Sequence, residues 1–416
     1  MRRNIMCKGI SLLLVIVMVL SGVIPVKSAE AATSSNIKIY NFIKILVSAT
    51  GLEIDTAQAS PYLKAAMDAG IVKEGDFKDD EAYITRMDAA VLLNRADEYL
   101  HGDTVDGKLL KIVLEQRISD MDKIPEGKRN AVAKIYAKGF IVGKSNGLYI
   151  QNRSFNGYDY LRTADAKKVI ALLKNTKGRA KMSPDGQLIR TTNLPKNAKD
   201  YPYILAAFPN SFYEMKFSYQ FNEYSYTPKE GKDYVRPAKV NKRMNIFETD
   251  QDGRCIYVDD WMKKVENNLK YRLNVDYRSI DNTWLNGLRN TYFVYNIASA
   301  DKKTTDDIKD YMSYVKKTQI IIKSSVIAVE PSTLYFDNAY RVRAYIKFKI
   351  SFKGEQKPQD KLFFVQQFIR LKNITKDKWF EGVYDIEIAT ANGSSNGSDY
   401  AVFNDSLNDY FYKGKW

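Results

Sequence analysis

"ITRMDAAVLLNRADEYL", Ile84 to Leu100, is the stretch on which the fold turns. Its apolar residues recur at helical spacing and include the pair Leu92 and Leu93, which predicts an amphipathic helix. Thr85 stands where a helix cap belongs. Its hydroxyl can accept from the N–H of Asp88, and the Asp88 carboxylate suits the positive end of the helix. Taken alone, Thr-Arg-Met-Asp is a helix start of an ordinary kind. The question is whether it recurs.

Two other segments can be laid over it: "IKIYNFIKILVSATGLE" from Ile37 and "LRTADAKKVIALLKN" from Leu161. Each carries an apolar pair at the matching offset, Ile45 with Leu46 and Val169 with Ile170. Second helices fill two of the gaps. "YLKAAMDAGIV" ends at Gly70-Ile71-Val72, and "AVAKIYAKGFIV" ends at Gly139-Phe140-Ile141-Val142. A glycine just past a helix supplies the left-handed residue that stops it. A Gly-rich turn follows at Gly143, Asn146 and Gly147, with Tyr149 after it.

With these features the chain resembles the S-layer homology (SLH) family over about residues 35 to 175. "ISDMDKIPEGKRNAVAKIYAKGFIVGKSNGLYIQN", Ile118 to Asn152, is similar to the opening of such a repeat. Thr85-Arg86-Met87-Asp88 is similar to the family's Thr-Arg-Ala-Glu signature. The resemblance implies three units packed as an all-α, trefoil-type repeat that binds anionic secondary cell-wall polysaccharide in grooves between units. It also implies that the signature arginine takes part. An arginine at a helix N-terminus adds a planar, multi-donor charge to unpaired backbone N–H groups, and both favour an anionic sugar substituent. The polymer-binding candidates are therefore Thr85, Arg86, Asp88, Gly143, Asn146, Gly147 and Arg162. The other two signatures differ: Lys38-Ile39-Tyr40-Asn41 lacks the arginine, and Arg162-Thr163-Ala164-Asp165 exchanges threonine and arginine.

The first 31 residues read as a secretory signal peptide: Arg2, Arg3 and Lys8, then an apolar run, then Ala29-Glu30-Ala31. The 416-residue chain carries a net charge of +15. Removing those residues takes four basic groups and one acid and leaves about +12. A basic exported protein is drawn to anionic polymers such as those of a bacterial wall. The export signal and the lack of a recognition module oppose a nucleic-acid partner. Nothing later in the chain is long and apolar enough to predict a transmembrane segment. After signal removal Cys255 is alone, so no intrachain disulfide forms, which suits a bacterial envelope protein.

"KNTKGRAKMSPDGQLIRTTNLPKNAKD" is polar and rich in turn residues, so residues 176–200 read as a linker. Residues 201–416 read as an α+β domain with an antiparallel sheet, making the whole chain an α+β multidomain protein. "AYRVRAYIKFKISF" alternates with period two, which predicts a strand with an apolar face on the core and a basic face, Arg341, Arg343, Lys347 and Lys349, toward water. Further strands are expected at "TQIIIKSSVIAVE", "KLFFVQQFIRL" and "WFEGVYDIEIAT", with an earlier strand or hairpin at "SFYEMKFSYQF". "VDDWMKKVENNLKYRL" and "TDDIKDYMSYVKK" have helical patterns.

No catalytic set emerges. His101 is the single histidine and reads as part of a solvent-exposed loop, which opposes Ser–His–Asp and Cys–His chemistry and a His-based metal site. "ETDQDGRCIYVD", Glu248 to Asp259, has some calcium-loop spacing but reads better as a hairpin turn. Asp259-Asp260 and Asp306-Asp307 read as acids at helix starts. The sequence thus points to a secreted surface protein of a Gram-positive-type bacterium, held non-covalently to wall polysaccharide and displaying a non-catalytic C-terminal domain, with no cofactor or metal. The competing expectations are a carboxylate-based enzyme acting on wall glycan and a module that binds another surface protein.

Overall fold

The computed structural model describes residues 36–215, 227–229, 232–235, 260–336, 340–354, 364, 375–389, 394, 399–403 and 411–412. The first half of these is helical: α1 (Ile39–Thr50), α2 (Pro61–Asp68), α3 (Arg86–His101), α4 (Gly107–Ile112) and α5 (Glu126–Ala137). The two-residue strands β1 (Lys144–Ser145) and β2 (Arg153–Ser154) pair as a hairpin, and α6 (Thr163–Ala171) follows.

α1, α3 and α6 begin at equivalent points. Lys38, Thr85 and Arg162 precede their first turns, all in extended backbone. The residues just before them close a ring of three backbone hydrogen bonds. Ile37 N–H donates to Leu161 O (2.9 Å), Leu161 N–H to Ile84 O (3.0 Å), and Ile84 N–H to Ile37 O (3.0 Å). All three side chains are buried. The first N–H groups of a helix have no partner within it, and the next corner supplies one. Ile39 and Tyr40 donate to Ala82 O and Asp80 O; Arg86 and Met87 donate to Asp159 O and Gly157 O, all within 2.8–2.9 Å. In both cases the acceptors lie two and four residues ahead of the next ring residue.

α2 and α5 also stop alike. Gly70 (φ +70°) and Gly139 (φ +73°) are left-handed, and the next N–H reaches back into the last turn, Ile71 to Ala66 O and Phe140 to Ile135 O. Gly139 is required twice over, because a Cβ there would lie 2.1 Å from the Ala180 carbonyl oxygen.

The second half contains α7 (Asn210–Glu214), the hairpin β3 (Thr227–Lys229) and β4 (Lys232–Val235), α8 (Met262–Leu273), β5 (Asn274–Asp276), α9 (Asn282–Arg289), α10 (Ala298–Thr318), β6 (Ile321–Phe336), β7 (Tyr340–Ser351), β8 (Trp379–Ile388) and β9 (Phe411–Tyr412). β5 to β9 form one antiparallel sheet in chain order. The architecture is α+β. α8, α9 and α10 contribute Val265, Leu269, Leu285, Leu288, Ile308 and Val315 to the core that also holds the sheet residues Val342, Ala344, Ile346 and Phe348.

Several expectations change. The supposed linker is packed: Ser183, Asp185 and Gln187 are buried, and Arg117 donates to Asp185 through Nε to the backbone oxygen (2.7 Å) and Nη2 to Oδ2 (3.0 Å). Within the expected hairpin "SFYEMKFSYQF", residues 211–214 belong to α7, because Phe212 and Tyr213 are buried against the sheet core from a single helical turn; its later residues lie outside those described. Arg341 and Arg343 do not face water. β7 is a central strand, and β8 presents Glu387, Asp385 and Glu381 directly opposite Arg341, Arg343 and Lys347. The result is a ladder of ion pairs at 2.9, 2.8 and 3.0 Å, with both arginines buried. His101 ends α3 rather than sitting in a loop, with its Nε2 2.9 Å from Leu173 O. α10 starts at Ala298, so Asp306 and Asp307 lie within the helix, paired to Lys302 and Lys303 one turn earlier. The signal-peptide segment, Glu248–Asp259 with Cys255, and all of "KLFFVQQFIRL" but Phe364 lie outside the described residues.

Candidate functional site

Thr85 caps α3 as its spacing implies. Its Oγ1 accepts from Asp88 N–H (3.2 Å) and donates to Asp88 Oδ2 (2.6 Å). The other Asp88 oxygen takes Lys128 Nζ. Asp88 and Thr85 are thereby committed to holding the helix end and to joining α3 to α5.

Arg86 differs. It occupies the first helical position, and its Nε donates to Phe155 O at 2.9 Å. The guanidinium lies over the Phe155 ring, 5.4 Å from its centroid. Phe155 is buried, and its position is fixed from behind: Asp120 accepts from Phe155 N–H and Asn156 N–H, both at 2.7 Å. Burial lowers the Arg86 pKa from its usual value, opposed by Asp159, Asp165 and Asp120, and an arginine remains charged regardless. Those acids are otherwise engaged, Asp159 by Lys144 (3.4 Å) and Asp165 by Arg162 (3.3 Å). Among the described residues, neither Nη of Arg86 makes a hydrogen bond. The side chain is thus oriented through one nitrogen and offers its terminal donors outward, a geometry suited to a carboxylate or phosphate-like group.

The other corners lack this arrangement. At the position of Arg86 stand the buried Ile39 and, at the third corner, Thr163. Lys38 is tied to Glu81 at 2.6 Å. Arg162 is largely exposed and pairs with Asp165.

The turn candidates are structural. Gly143 (φ +67°) passes so close to β2 that a Cβ would sit 2.6 Å from Ser154 O. The Asn146 amide is used internally, donating to Ser119 Oγ (3.0 Å) and Asn152 Oδ1 (2.9 Å) and accepting from Ser154 Oγ (2.7 Å). Gly147 N–H donates to Ser145 Oγ at 3.2 Å. The turn still serves Arg86 indirectly, because β2 runs from Ser154 straight into Phe155.

Sequence reasoning missed Phe155 and Asp120 as the support of Arg86. It also missed the exposed rings of Tyr83 and Tyr160, which meet at 5.7 Å beside the ring of backbone bonds. Asp120 falls within the segment that resembles a repeat opening, but its partner 35 residues on has no local signal.

Among the described residues, no helix is long and apolar enough to cross a membrane, and no group of three or more His, Cys, Asp or Glu side chains is placed to hold a metal ion. No family model and no curated protein matches the chain. Among solved structures, it is similar to an undecaheme cytochrome from the S-layer of Carboxydothermus ferrireducens, at 14% identity and a TM-score of 0.23, over 40% of this chain. The chain spans 20% of that cytochrome's length. A likeness of that degree carries no argument about fold or function.

Proposed function

We propose that this is an exported bacterial surface protein whose helical region is an SLH-like, three-cornered unit that attaches non-covalently to anionic cell-wall polysaccharide, with Arg86 as the principal contact. The observation that carries this reading is the Arg86 guanidinium, seated on Phe155, anchored by Nε and unengaged at both Nη atoms. The ring through Ile37, Ile84 and Leu161, and the equivalent starts of α1, α3 and α6, support the three-unit arrangement. The high positive charge favours an acidic polymer. The C-terminal α+β region is read as non-catalytic.

The test is co-sedimentation of the chain lacking residues 1–31 with purified wall sacculi that retain their secondary polysaccharide. The protein should pellet, and Arg86→Ala should weaken binding by roughly tenfold or more, the loss expected for charge-assisted hydrogen bonds. Protein that stays in the supernatant, or an Arg86→Ala variant that pellets like the parent, contradicts the reading.

A further inference from the structure

A second site lies in the C-terminal region, far in sequence from Arg86. A cleft of about 640 Å³ opens between α8, the start of α9 and β6. Three local irregularities converge on it. In β6, Ser324 pairs with Phe348 and Val326 with Lys347, so Ser325 is an extra, bulged residue. Bulges re-aim side chains and recur beside functional sites. In α9, Gly287 sits inside the helix, where glycine costs about 1 kcal/mol relative to alanine. Its reason is Tyr271, whose ring would meet a Cβ at 2.2 Å. The third is Asn274, where α8 gives way to β5. Its Oδ1 accepts from both Ser324 N–H (3.1 Å) and Ser324 Oγ (2.9 Å), and its Nδ2 donates to Lys270 O (3.0 Å).

The aromatic wall is held in place by hydrogen bonds. Trp284 is held by its backbone N–H on Asp281 Oδ1 (3.0 Å) and by its indole N–H on Tyr271 O (3.0 Å). One side of its ring is backed by Tyr311, with centroids 6.0 Å apart and planes at 29°. What Trp284 has left for the cleft is therefore apolar ring surface. Neutral polar groups line the same cleft. The Asn267 side-chain amide makes no hydrogen bond among the described residues, and the Ser325 hydroxyl has only a long one, 3.4 Å to Lys347 O. Lys270 is the one charged residue in the lining, and it pairs with Glu266 at 2.7 Å. An aromatic ring, an amide and hydroxyls lining one cleft, with its single lysine paired, match a ligand with one apolar face and a rim of hydroxyl and amide groups.

We propose that this cleft binds an uncharged pyranose, specifically one bearing an N-acetylated amino group, whose ring packs on Trp284 and whose acetamido group meets Asn267. The site is independent of Arg86 and of the anchoring reading. The probe is chitotetraose, with cellotetraose as the non-acetylated control, followed by saturation-transfer NMR and isothermal titration on the chain lacking residues 1–31. Chitotetraose should bind, and cellotetraose should bind at least about tenfold more weakly, the loss of one or two good hydrogen bonds. Asn267→Ala and Ser325→Trp, one removing an amide and the other filling the cleft from an exposed bulge, should each cut affinity by about the same factor. Arg86→Ala should leave it unchanged. Absence of chitotetraose binding, equal binding of the two sugars, or binding untouched by both cleft variants overturns the proposal. Circular dichroism and thermal melts confirm that each variant is folded.

Discussion

The Tyr149 ring stacks on Tyr345 with centroids 3.7 Å apart and planes at 4°. Tyr149 belongs to the turn after β1, in the helical region; Tyr345 is in β7, at the centre of the sheet. The contact is reinforced by Tyr149 N–H donating to Ala207 O (2.7 Å) and Gln151 Nε2 donating to Val329 O (2.9 Å). Tyr149 is counted among the core residues of the C-terminal region, together with Phe208 and Phe212. The helical region keeps a core of its own but inserts Tyr149 into the core of the sheet region. The two regions are thus packed together through this ring, and the picture of a display domain on a free tether does not describe this molecule.

That contact makes a thermodynamic prediction. Tyr149→Ala should destabilise the protein by about 3–5 kcal/mol, the range for removing a buried aromatic ring. It should also uncouple the two halves, so that a single urea transition becomes two. Unfolding followed in parallel by far-UV circular dichroism and tryptophan fluorescence reads this directly. Coincident transitions in the variant would show that the stack is not what couples them.

The ion-pair ladder between β7 and β8 predicts a sharp contrast. Arg343 donates to Asp385 through Nε (2.8 Å) and Nη2 (3.3 Å), and its Nη1 reaches Phe212 O (2.9 Å). Asp385→Ala leaves a buried guanidinium without its counter-charge and should cost about 3–5 kcal/mol. Asp306→Ala, at an exposed pair on α10, should produce no measurable change. Chemical denaturation of the two variants side by side tests the difference.

Glu330 gives a pH dependence with a definite sign. Burial pushes its carboxyl up to about 8 from the usual 4.5; hydrogen bonds from Ser332 and Tyr213 oppose the rise, and Asp185 adds to it. Between those values the folded protein keeps a proton that the unfolded chain has lost. Stability from this group is therefore full below about 4.5 and declines as pH rises toward 8. Glu330→Gln keeps the shape and stays neutral. Between pH 5 and pH 8 the parent should lose more stability than the variant, by something on the order of a few kcal/mol. Equal losses in urea titrations at the two pH values would contradict the assignment.

Thr85 and Arg86 are adjacent but should separate experimentally. Thr85→Ala removes the hydroxyl that caps α3 and should cost about 1 kcal/mol of stability while leaving the proposed wall binding intact. Arg86→Lys keeps the charge but loses the fork anchored on Phe155, and should lose affinity without a matching loss of stability. Melting curves and sacculus sedimentation on both variants distinguish a cap from a contact. If Thr85→Ala abolished binding at unchanged melting temperature, the division of roles would be wrong.

How much of this was legible beforehand follows from the range of the forces involved. The cap of α3 by Thr85, the left-handed stops at Gly70 and Gly139, and the alternation that defines β7 all depend on neighbours within a few residues. Local hydrogen bonding and side-chain period set them, so the chain itself determines them. The first N–H groups of α1 and α3, by contrast, find acceptors far along the chain. Which polar faces are buried is another matter. The basic side of β7 looked like a solvent face until the register with β8 set Glu387 and Asp385 against Arg341 and Arg343. Arg86 resembled a signature residue, but its seat on Phe155 and Asp120 exists only once the hairpin of β1 and β2 closes. The stack of Tyr149 on Tyr345 and the hydrogen bond from Gln151 to Val329, 178 residues apart, were beyond any local pattern. The sequence by itself determined many of the elements, among them the cap of α3 and the glycine stops of α2 and α5. Only the tertiary structure decided which charges meet, which turn is buried and where a cleft is left open, because those depend on register and packing between distant segments.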